Sequence, residues 1–125
     1  MTTTPEWDPF NSQCPSRQVL DRIGDRWSVL ILVALSHGPM RYTELSRRID
    51  GVSQKMLTQT LRGLERDGLV TRTVHAAVPP KVEYELTESG RTLTGPLAAL
   101  DAWARTHIED VVRSRLAYDE PQASA

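Results

Sequence analysis

The sequence predicts a mainly α-helical fold that carries one small β-hairpin. Apolar residues recur at helical spacing over most of the 125 residues, whereas two short segments, 69–74 and 82–86, alternate in the manner of strands. A chain of this length forms one domain with a sizeable hydrophobic core. Its composition, with 39% hydrophobic and 25% charged residues, is that of an ordinary soluble globular protein.

Two helices are predicted after an N-terminal arm over residues 1–13. Ser16 is the expected N-cap of the first helix and Asp25 that of the second. Gly38-Pro39 ends the second helix, because glycine favours the left-handed C-terminal position and proline cannot continue a helix. The expected buried side of this second helix consists of Trp27, Leu30, Ile31, Ala34 and Leu35.

The next segment predicts a short helix followed by a longer, well-capped one. Residues 40–42 are long enough for only a small strand, and Thr43 is the expected start of the third helix. Ser53 then caps a fourth helix that runs to Asp67, and Gly68 is its expected left-handed stop.

A hairpin and a long C-terminal helix complete the prediction. The link between the two strands, HAAVPPK, contains two prolines that cannot donate hydrogen bonds to a strand ladder, which predicts a stiff tip. Thr87 is the expected cap of the last helical segment, and Gly95-Pro96 should break or kink it. Beyond this break, an apolar stripe is formed by Leu97, Leu100, Ala104, Ile108 and Val111.

The order helix, helix, short strand, helix, helix, strand, wing, strand, helix is that of a winged helix-turn-helix domain. The helices at the two ends are not needed to read DNA, so we expect them to build a homodimer. We assign residues 1–13 to an N-terminal arm, residues 14–117 to the winged-helix domain with its dimerisation helices, and residues 118–125 to a flexible tail.

The net charge of −1 hides an uneven distribution of charge along the chain. Residues 41–81 carry eight basic and four acidic side chains, whereas residues 82–125 carry four basic and eight acidic ones. A basic centre suits a protein that presents one face to a polyanion. A merely solvated face is the alternative for any such cluster, so charge alone does not decide.

The fourth helix separates an apolar face from a stripe of hydrogen-bond donors. Leu61 and Leu64 lie within about 40° of Leu57 around the helix axis, whereas the stripe lies about 140° to 200° away from it. The stripe consists of Lys55, Gln59, Arg62 and Arg66. A helix of this kind fits the major groove of double-stranded DNA.

The predicted DNA contacts fall into two groups. Candidates for base contacts are Lys55, Gln59 and Arg62, with Gln54 and Thr58 beside them. Candidates for phosphate contacts are Arg41, Ser53, Arg66, Arg72 and Lys81. The alternatives are a plain solvated face behind a capping serine, or a surface that binds protein. A protein-binding surface should expose apolar residues, and the outer stripe has none.

Several long segments follow one another in a recognisable order. They are IGDRWSVLIL (23–32), GPMRYTEL (38–45), GVSQKMLTQTLRGLERDGLVTRTV (51–74), VPPKVEYELTESG (78–90) and the region around Trp103. On these segments the chain resembles the HxlR-type transcription regulators, which are winged-helix proteins related to MarR. The resemblance implies a dimeric, cytoplasmic regulator that binds inverted repeats. Many members are repressors and some are activators. It places the recognition helix on residues 53–67 and the wing on residues 75–81.

The resemblance also implies a sensing role for Cys14. Several family members use a cysteine just before the first helix to sense oxidants or electrophiles, and Cys14 lies at that place. The helix N-terminus and Arg17 are expected to stabilise its thiolate. Because the chain has one cysteine, a disulfide can only join two subunits or capture a small thiol. The alternatives are a cysteine without a role, or control by a small-molecule effector instead.

Other classes of function are not expected. The longest apolar run, residues 29–35, is too short to span a bilayer, and the N-terminus lacks the basic start and apolar core of a secretory signal. We therefore expect a cytoplasmic protein with a reduced thiol and no membrane partner. His37, His75 and His107 lack metal-ligand spacing, and no nucleotide or catalytic motif is present. Neither a cofactor nor an enzymatic activity is expected.

Overall fold

A computed structural model describes residues 6–121, so parts of the predicted arm and tail lie outside the described residues. The helices and strands follow the predicted order, with one additional short helix before the last. They are α1 (Pro15–Gly24), α2 (Arg26–Leu35), β1 (Met40–Arg41), α3 (Tyr42–Arg48), α4 (Gln54–Arg66), β2 (Val70–His75), β3 (Lys81–Leu86), α5 (Glu88–Arg91) and α6 (Thr94–Asp119). A first compact unit extends to Thr94, and a second begins at Gly95.

The three strands form one antiparallel sheet in the order β1-β3-β2. The ladder between β2 and β3 runs from the pair Val70 and Leu86 to the pair His75 and Lys81, so the proline-containing link forms the tip of a hairpin. The two residues of β1 pair with the other edge of β3. The predicted mainly α-helical fold with a β-hairpin wing is confirmed.

The core of the first unit is formed by α2, α3, α4 and the sheet. Helix α2 packs against α1 and α4, and α4 packs against β2. The buried side chains are Ile31, Leu32, Ala34, Leu35, Leu45, Ile49, Leu57, Leu61, Leu64, Val70, Tyr84 and Leu86. Because each fully buried aliphatic side chain stabilises the fold by about 1.5–3 kcal/mol, this cluster fixes the position of α4 in the first unit.

The buried face of α2 differs from the predicted one. Leu30 is 45% exposed, whereas Ser28 and Leu32 are buried. The predicted cap is confirmed, since the Asp25 carboxylate accepts hydrogen bonds from the N–H groups of Trp27 and Ser28. Ile31, Ala34 and Leu35 are buried as predicted, and the prediction is wrong for Leu30, because α2 reads RWSVLILVAL. Apolar residues occupy nearly every position, so periodicity does not select one side.

Helix α1 begins earlier than predicted. Pro15 is its first residue, and Cys14 rather than Ser16 is the N-cap. Proline is favoured at this position because the first N–H groups of a helix have no partner within it. Val19 and Leu20 on α1 are exposed in the single chain.

The second unit is formed by α6, after a break that lies slightly before the predicted one. Helix α5 ends at Arg91 and α6 begins at Thr94. Pro96 lies in the first turn of α6, where a missing N–H costs no helical hydrogen bond. Leu97 is buried. The exposed large apolar residues of α6 are Leu100, Trp103, Ile108, Val112, Leu116 and Tyr118.

Helix α6 comprises 26 residues and extends to Asp119. It therefore includes the first two residues of the segment 118–125, which the sequence assigns to a tail. Within the described range 6–121, the helices lack the combination of length and apolar character that crossing a membrane requires.

Candidate nucleic-acid interface

Both ends of α4 are capped as the sequence predicts. The Ser53 hydroxyl accepts a hydrogen bond from the N–H of Met56 at 3.0 Å. Gly68 has a φ of 73°, a conformation that glycine adopts without the strain other residues incur. The three leucines of the inner face are buried. Together, the caps and the buried face determine which side chains of α4 point outward.

The outer face of α4 presents nitrogen-rich side chains to solvent. Lys55, Gln59, Arg62 and Arg66 are all exposed. Within residues 6–121, none of the three cations on this face lies within 4.0 Å of a carboxylate. Each cation is therefore free to pair with an external phosphate or a base edge.

Ser53→Ala is expected to lower the free energy of unfolding by about 1 kcal/mol, because the N–H of Met56 loses its acceptor. Urea denaturation followed by circular dichroism measures this change. Ser46→Ala, an exposed substitution within α3, is the control and should change stability by less than about 0.5 kcal/mol. Equal losses in the two variants would contradict the capping role of Ser53.

Tyr42 joins the start of α3 to α4. Its hydroxyl donates a hydrogen bond to the C=O of Gln54 at 3.1 Å and lies 3.0 Å from Thr58 Oγ1. Because a phenol donates only one hydrogen bond, the Thr58 hydroxyl is the donor in the second contact. Gln54 and Thr58 are thus held by Tyr42, which is not among the site residues predicted from the sequence. No spacing pattern marks a tyrosine for this role.

The wing and the start of α3 enclose a groove that brings Arg41 and Lys81 together. Its volume is about 490 Å³, and its other lining residues include Tyr42, Thr43 and the wing-tip segment 77–80. Both side chains are exposed, and neither the Arg41 guanidinium nor the Lys81 ammonium has a carboxylate oxygen within 4.0 Å among residues 6–121. The Glu44 carboxylate instead accepts a hydrogen bond from the backbone N–H of Arg41 at 3.0 Å. Two positive charges at one groove suit the phosphate backbone of DNA.

The register of the wing places Arg72 and Lys81 on opposite faces of the ribbon. Arg72 pairs with Tyr84, whereas Lys81 pairs with His75. Side chains alternate between the two faces along a strand, so Arg72 and His75, three residues apart, point in opposite directions. The wing is not purely basic, since His75 Nε2 lies 3.5 Å from a Glu83 carboxylate oxygen. The predicted phosphate contacts of the wing are therefore split between its faces.

Cys14 lies half-buried at the N-terminus of α1. Its Sγ lies 3.1 Å from the Ser16 hydroxyl and accepts a hydrogen bond from the N–H of Asp8 at 3.4 Å. Hydrogen bonds from Ser16, first from its hydroxyl and then from its N–H, hold the pKa of the Cys14 thiol below its usual value, although burial opposes them. The expected contribution of Arg17 is corrected, because Arg17 pairs with Asp21 at 3.3 Å instead.

Comparison with known proteins gives one consistent result. The profile of the HxlR-like helix-turn-helix family matches residues 22–112. The uncharacterized HTH-type transcriptional regulator YtfH of Escherichia coli K12 is 46% identical over 110 residues, which cover 88% of this chain and 87% of that protein. The solved structure of YtfH from Salmonella typhimurium is 45% identical and has a TM-score of 0.82; the match covers 88% of this chain and 98% of that chain. The redox regulator HypR in its oxidized form is 42% identical and has a TM-score of 0.70; the match covers 74% of this chain and 96% of that chain.

The winged fold and these similarities together define the class of the protein. It is a transcriptional regulator with a helix-turn-helix DNA-binding fold. The chain belongs to the HxlR-like helix-turn-helix family, and the matched range contains both α4 and the wing. The resemblance inferred from the sequence segments is confirmed.

Proposed function

We propose that this regulator binds an inverted-repeat operator as a homodimer and represses transcription. The observation that carries the proposal is the exposed donor face of α4, the second helix of the helix-turn-helix. The proposed base contacts are made by Lys55, Gln59 and Arg62, with Gln54 and Thr58 beside them. The proposed phosphate contacts are made by Arg41, Ser53, Arg66, Arg72 and Lys81.

The chemistry of these side chains matches the edges of base pairs. Glutamine pairs in a bidentate manner with adenine in the major groove, and arginine or lysine pairs with guanine. The shared groove of Arg41 and Lys81 suits the backbone beside the recognition helix. A protein partner is the alternative ligand for this face. The outer stripe argues against a protein partner, because protein-binding surfaces rely on apolar and aromatic anchors and the stripe has none.

The exposed apolar residues of α6 support the homodimer. Leu100 is 55% exposed and Trp103 is 57% exposed in the single chain. Large exposed apolar patches on soluble proteins mark interaction surfaces. A two-fold dimer would present two copies of α4 to successive major grooves about one helical turn apart, which requires an inverted repeat in the operator.

A thiol switch at Cys14 is part of the proposal, and the similarity to the redox regulator HypR supports it. An oxidant would take two electrons and two protons from a pair of thiols and leave a disulfide, either between two Cys14 residues of a dimer or between Cys14 and a small thiol. An electrophile would instead form a bond to the sulfur as the thiol loses its proton. Either change would displace the start of α1. Helix α1 is tied to the end of α4 by the ion pair of Arg22 and Asp67 at 3.1 Å, so the displacement can reach α4.

Fluorescence anisotropy tests the proposal on DNA from upstream of the gene for this protein, with random DNA as competitor. We expect tight, salt-dependent binding in reductant and loss of binding after diamide. The Cys14→Ser variant should bind in both conditions. A Cys14→Ser variant that responds to diamide like the wild type would contradict the thiol switch. No preference for upstream over random DNA in either condition would contradict an operator at that position.

Ser16→Ala is expected to raise the pKa of Cys14, because the Ser16 hydroxyl is the largest cause of its lowering. At a pH below this pKa the thiolate fraction falls, so alkylation by iodoacetamide should be slower. The alkylation rate, measured against pH, should shift toward higher pH relative to the wild type. Ser12→Ala is the control and should leave the profile in place. An unshifted profile for Ser16→Ala would contradict the assigned cause.

A second candidate is control by a small-molecule effector. A cleft of about 400 Å³ that is lined by residues of α1, α2 and α4 favours it. Because the cleft includes Gln59 of the outer stripe, a bound molecule would act directly on a proposed base contact.

A further inference from the structure

The cleft lined by α1, α2 and α4 contains an unsatisfied buried hydroxyl group. Ser28 lines the cleft and is 1% exposed. Its Oγ has no hydrogen-bond partner among the described residues. Buried hydroxyl groups in native proteins are almost always hydrogen-bonded, so the Ser28 hydroxyl requires a partner, and the cleft is the place from which one can approach.

The charges around the cleft are negative on balance. Asp21 and Asp25 line it, and the one basic lining residue, Arg22, is paired with Asp67 at 3.1 Å. Asp21 is paired with Arg17, but that ion pair is exposed to solvent and can exchange for a ligand at little cost. A cation is therefore favoured over an anion in this cleft.

The remaining lining residues offer hydrogen-bond acceptors and one apolar contact, and the amides of Gln18 and Gln59 can both donate and accept. The Thr60 hydroxyl donates to the C=O of Met56 at 2.7 Å, which leaves the Thr60 oxygen available as an acceptor. The Asp25 carboxylate lies beside Ser28, because it accepts a hydrogen bond from the Ser28 N–H at 3.3 Å. The partly exposed side chain of Met56 offers an apolar surface.

We propose that this cleft binds a small primary amine. Its ammonium group would donate hydrogen bonds to the Asp25 carboxylate and the Ser28 hydroxyl, with Asp21 as a second negative charge. Its apolar part would contact Met56. A volume of about 400 Å³ lies in the range of small-molecule sites.

NMR titration of the full-length protein tests this site without DNA. The probes are n-butylamine and tyramine, and butyrate is the anionic counterpart. We expect saturable shifts of the amides of Ser28 and Thr60 and of the Gln59 side chain, with a Kd below about 1 mM for at least one amine. Butyrate should cause none. The absence of saturable shifts with both amines, or equal shifts with butyrate, would overturn the proposal.

Two variants and one control variant sharpen this test. Asp21→Asn should weaken amine binding at least about tenfold, whereas Asp101→Asn should not. Asp101 is a matched control because it also pairs with an arginine four residues away on an exposed helix face. Ser28→Ala should weaken binding without lowering the melting temperature of the free protein. A lower melting temperature would show that the hydroxyl already has a partner in the free protein and would overturn the proposal.

An effect of the amine on DNA binding rests on the proposed function, because it requires Gln59 to contact a base. We expect the amine to lower operator affinity in wild type and not in Asp21→Asn. Amine binding seen by NMR without any change in operator affinity would leave the site intact and exclude regulation through Gln59. Loss of DNA binding in all variants would instead count against the DNA interface.

Discussion

Arg62→Ala is expected to weaken operator binding by about 1–3 kcal/mol and to relax the base preference at one position of each half-site. Arg62 is exposed on the outer face of α4, with no carboxylate within 4.0 Å among residues 6–121. The substitution therefore removes the proposed DNA contact and breaks no ion pair among the described residues. A bidentate arginine–guanine pair provides discrimination of this size. Anisotropy titrations on the operator and on its single-base variants measure both effects.

Arg91→Ala is the matched control for this substitution. Arg91 is also exposed, but it lies on α5 and pairs with Glu85 at 3.3 Å. Its loss should change operator affinity by less than about 0.5 kcal/mol. Arg62 contacts a phosphate instead if Arg62→Ala weakens binding to operator and to random DNA equally. In that case the slope of log binding constant against log salt concentration should also become smaller in magnitude by about one. If neither DNA is affected, the proposed interface on α4 is wrong.

The sequence predicts α4 and the wing well because their determinants are local. The cap of α4 joins the side chain of Ser53 to an N–H three residues away, and the stop requires only glycine at position 68. The inner leucines follow from helical spacing alone. The strands of the hairpin lie within one residue of their predicted bounds, because alternation and two prolines define them without reference to the rest of the chain.

Contacts between distant parts of the chain could not be predicted in this way. Tyr42 holds Thr58 across 16 positions, and Arg22 reaches Asp67 across 45 positions. Neither pair has a sequence signature, since both depend on how α1, α3 and α4 pack.

Closeness in sequence also does not predict which groups contact each other in the folded chain. Arg17 lies three residues from Cys14, yet it pairs with Asp21 one helical turn further along. The nearest hydrogen-bonding groups to the thiol are smaller ones, the Ser16 hydroxyl and the Asp8 N–H. In the wing, strand register rather than sequence distance separates Arg72 from Lys81. Site residues on one continuous helix are therefore predicted more securely than site residues that different elements bring together.

Leu57→Ala is expected to lower the free energy of unfolding by about 2–5 kcal/mol, the largest stability effect that we predict. Leu57 is 0% exposed, and its helix packs against α2 and β2. Truncation leaves a cavity that the packed core fills only in part. The total free energy of unfolding of a domain of this size is about 5–15 kcal/mol, so the variant should be only marginally stable. Urea denaturation at a fixed protein concentration measures the loss, since dimerisation would make stability concentration-dependent.

Gln59→Ala is the matched control, because Gln59 lies on the same helix and is exposed. Its unfolding free energy should change by less than about 0.5 kcal/mol, while its affinity for the operator should fall. The two substitutions, two residues apart, thus separate what α4 contributes to folding from what it contributes to DNA binding. If Leu57→Ala were no less stable than Gln59→Ala, the inner face of α4 would be misassigned. The outer stripe would then be misassigned as well, because the inner and outer faces are opposite sides of the same helix and the orientation of the helix about its axis determines both.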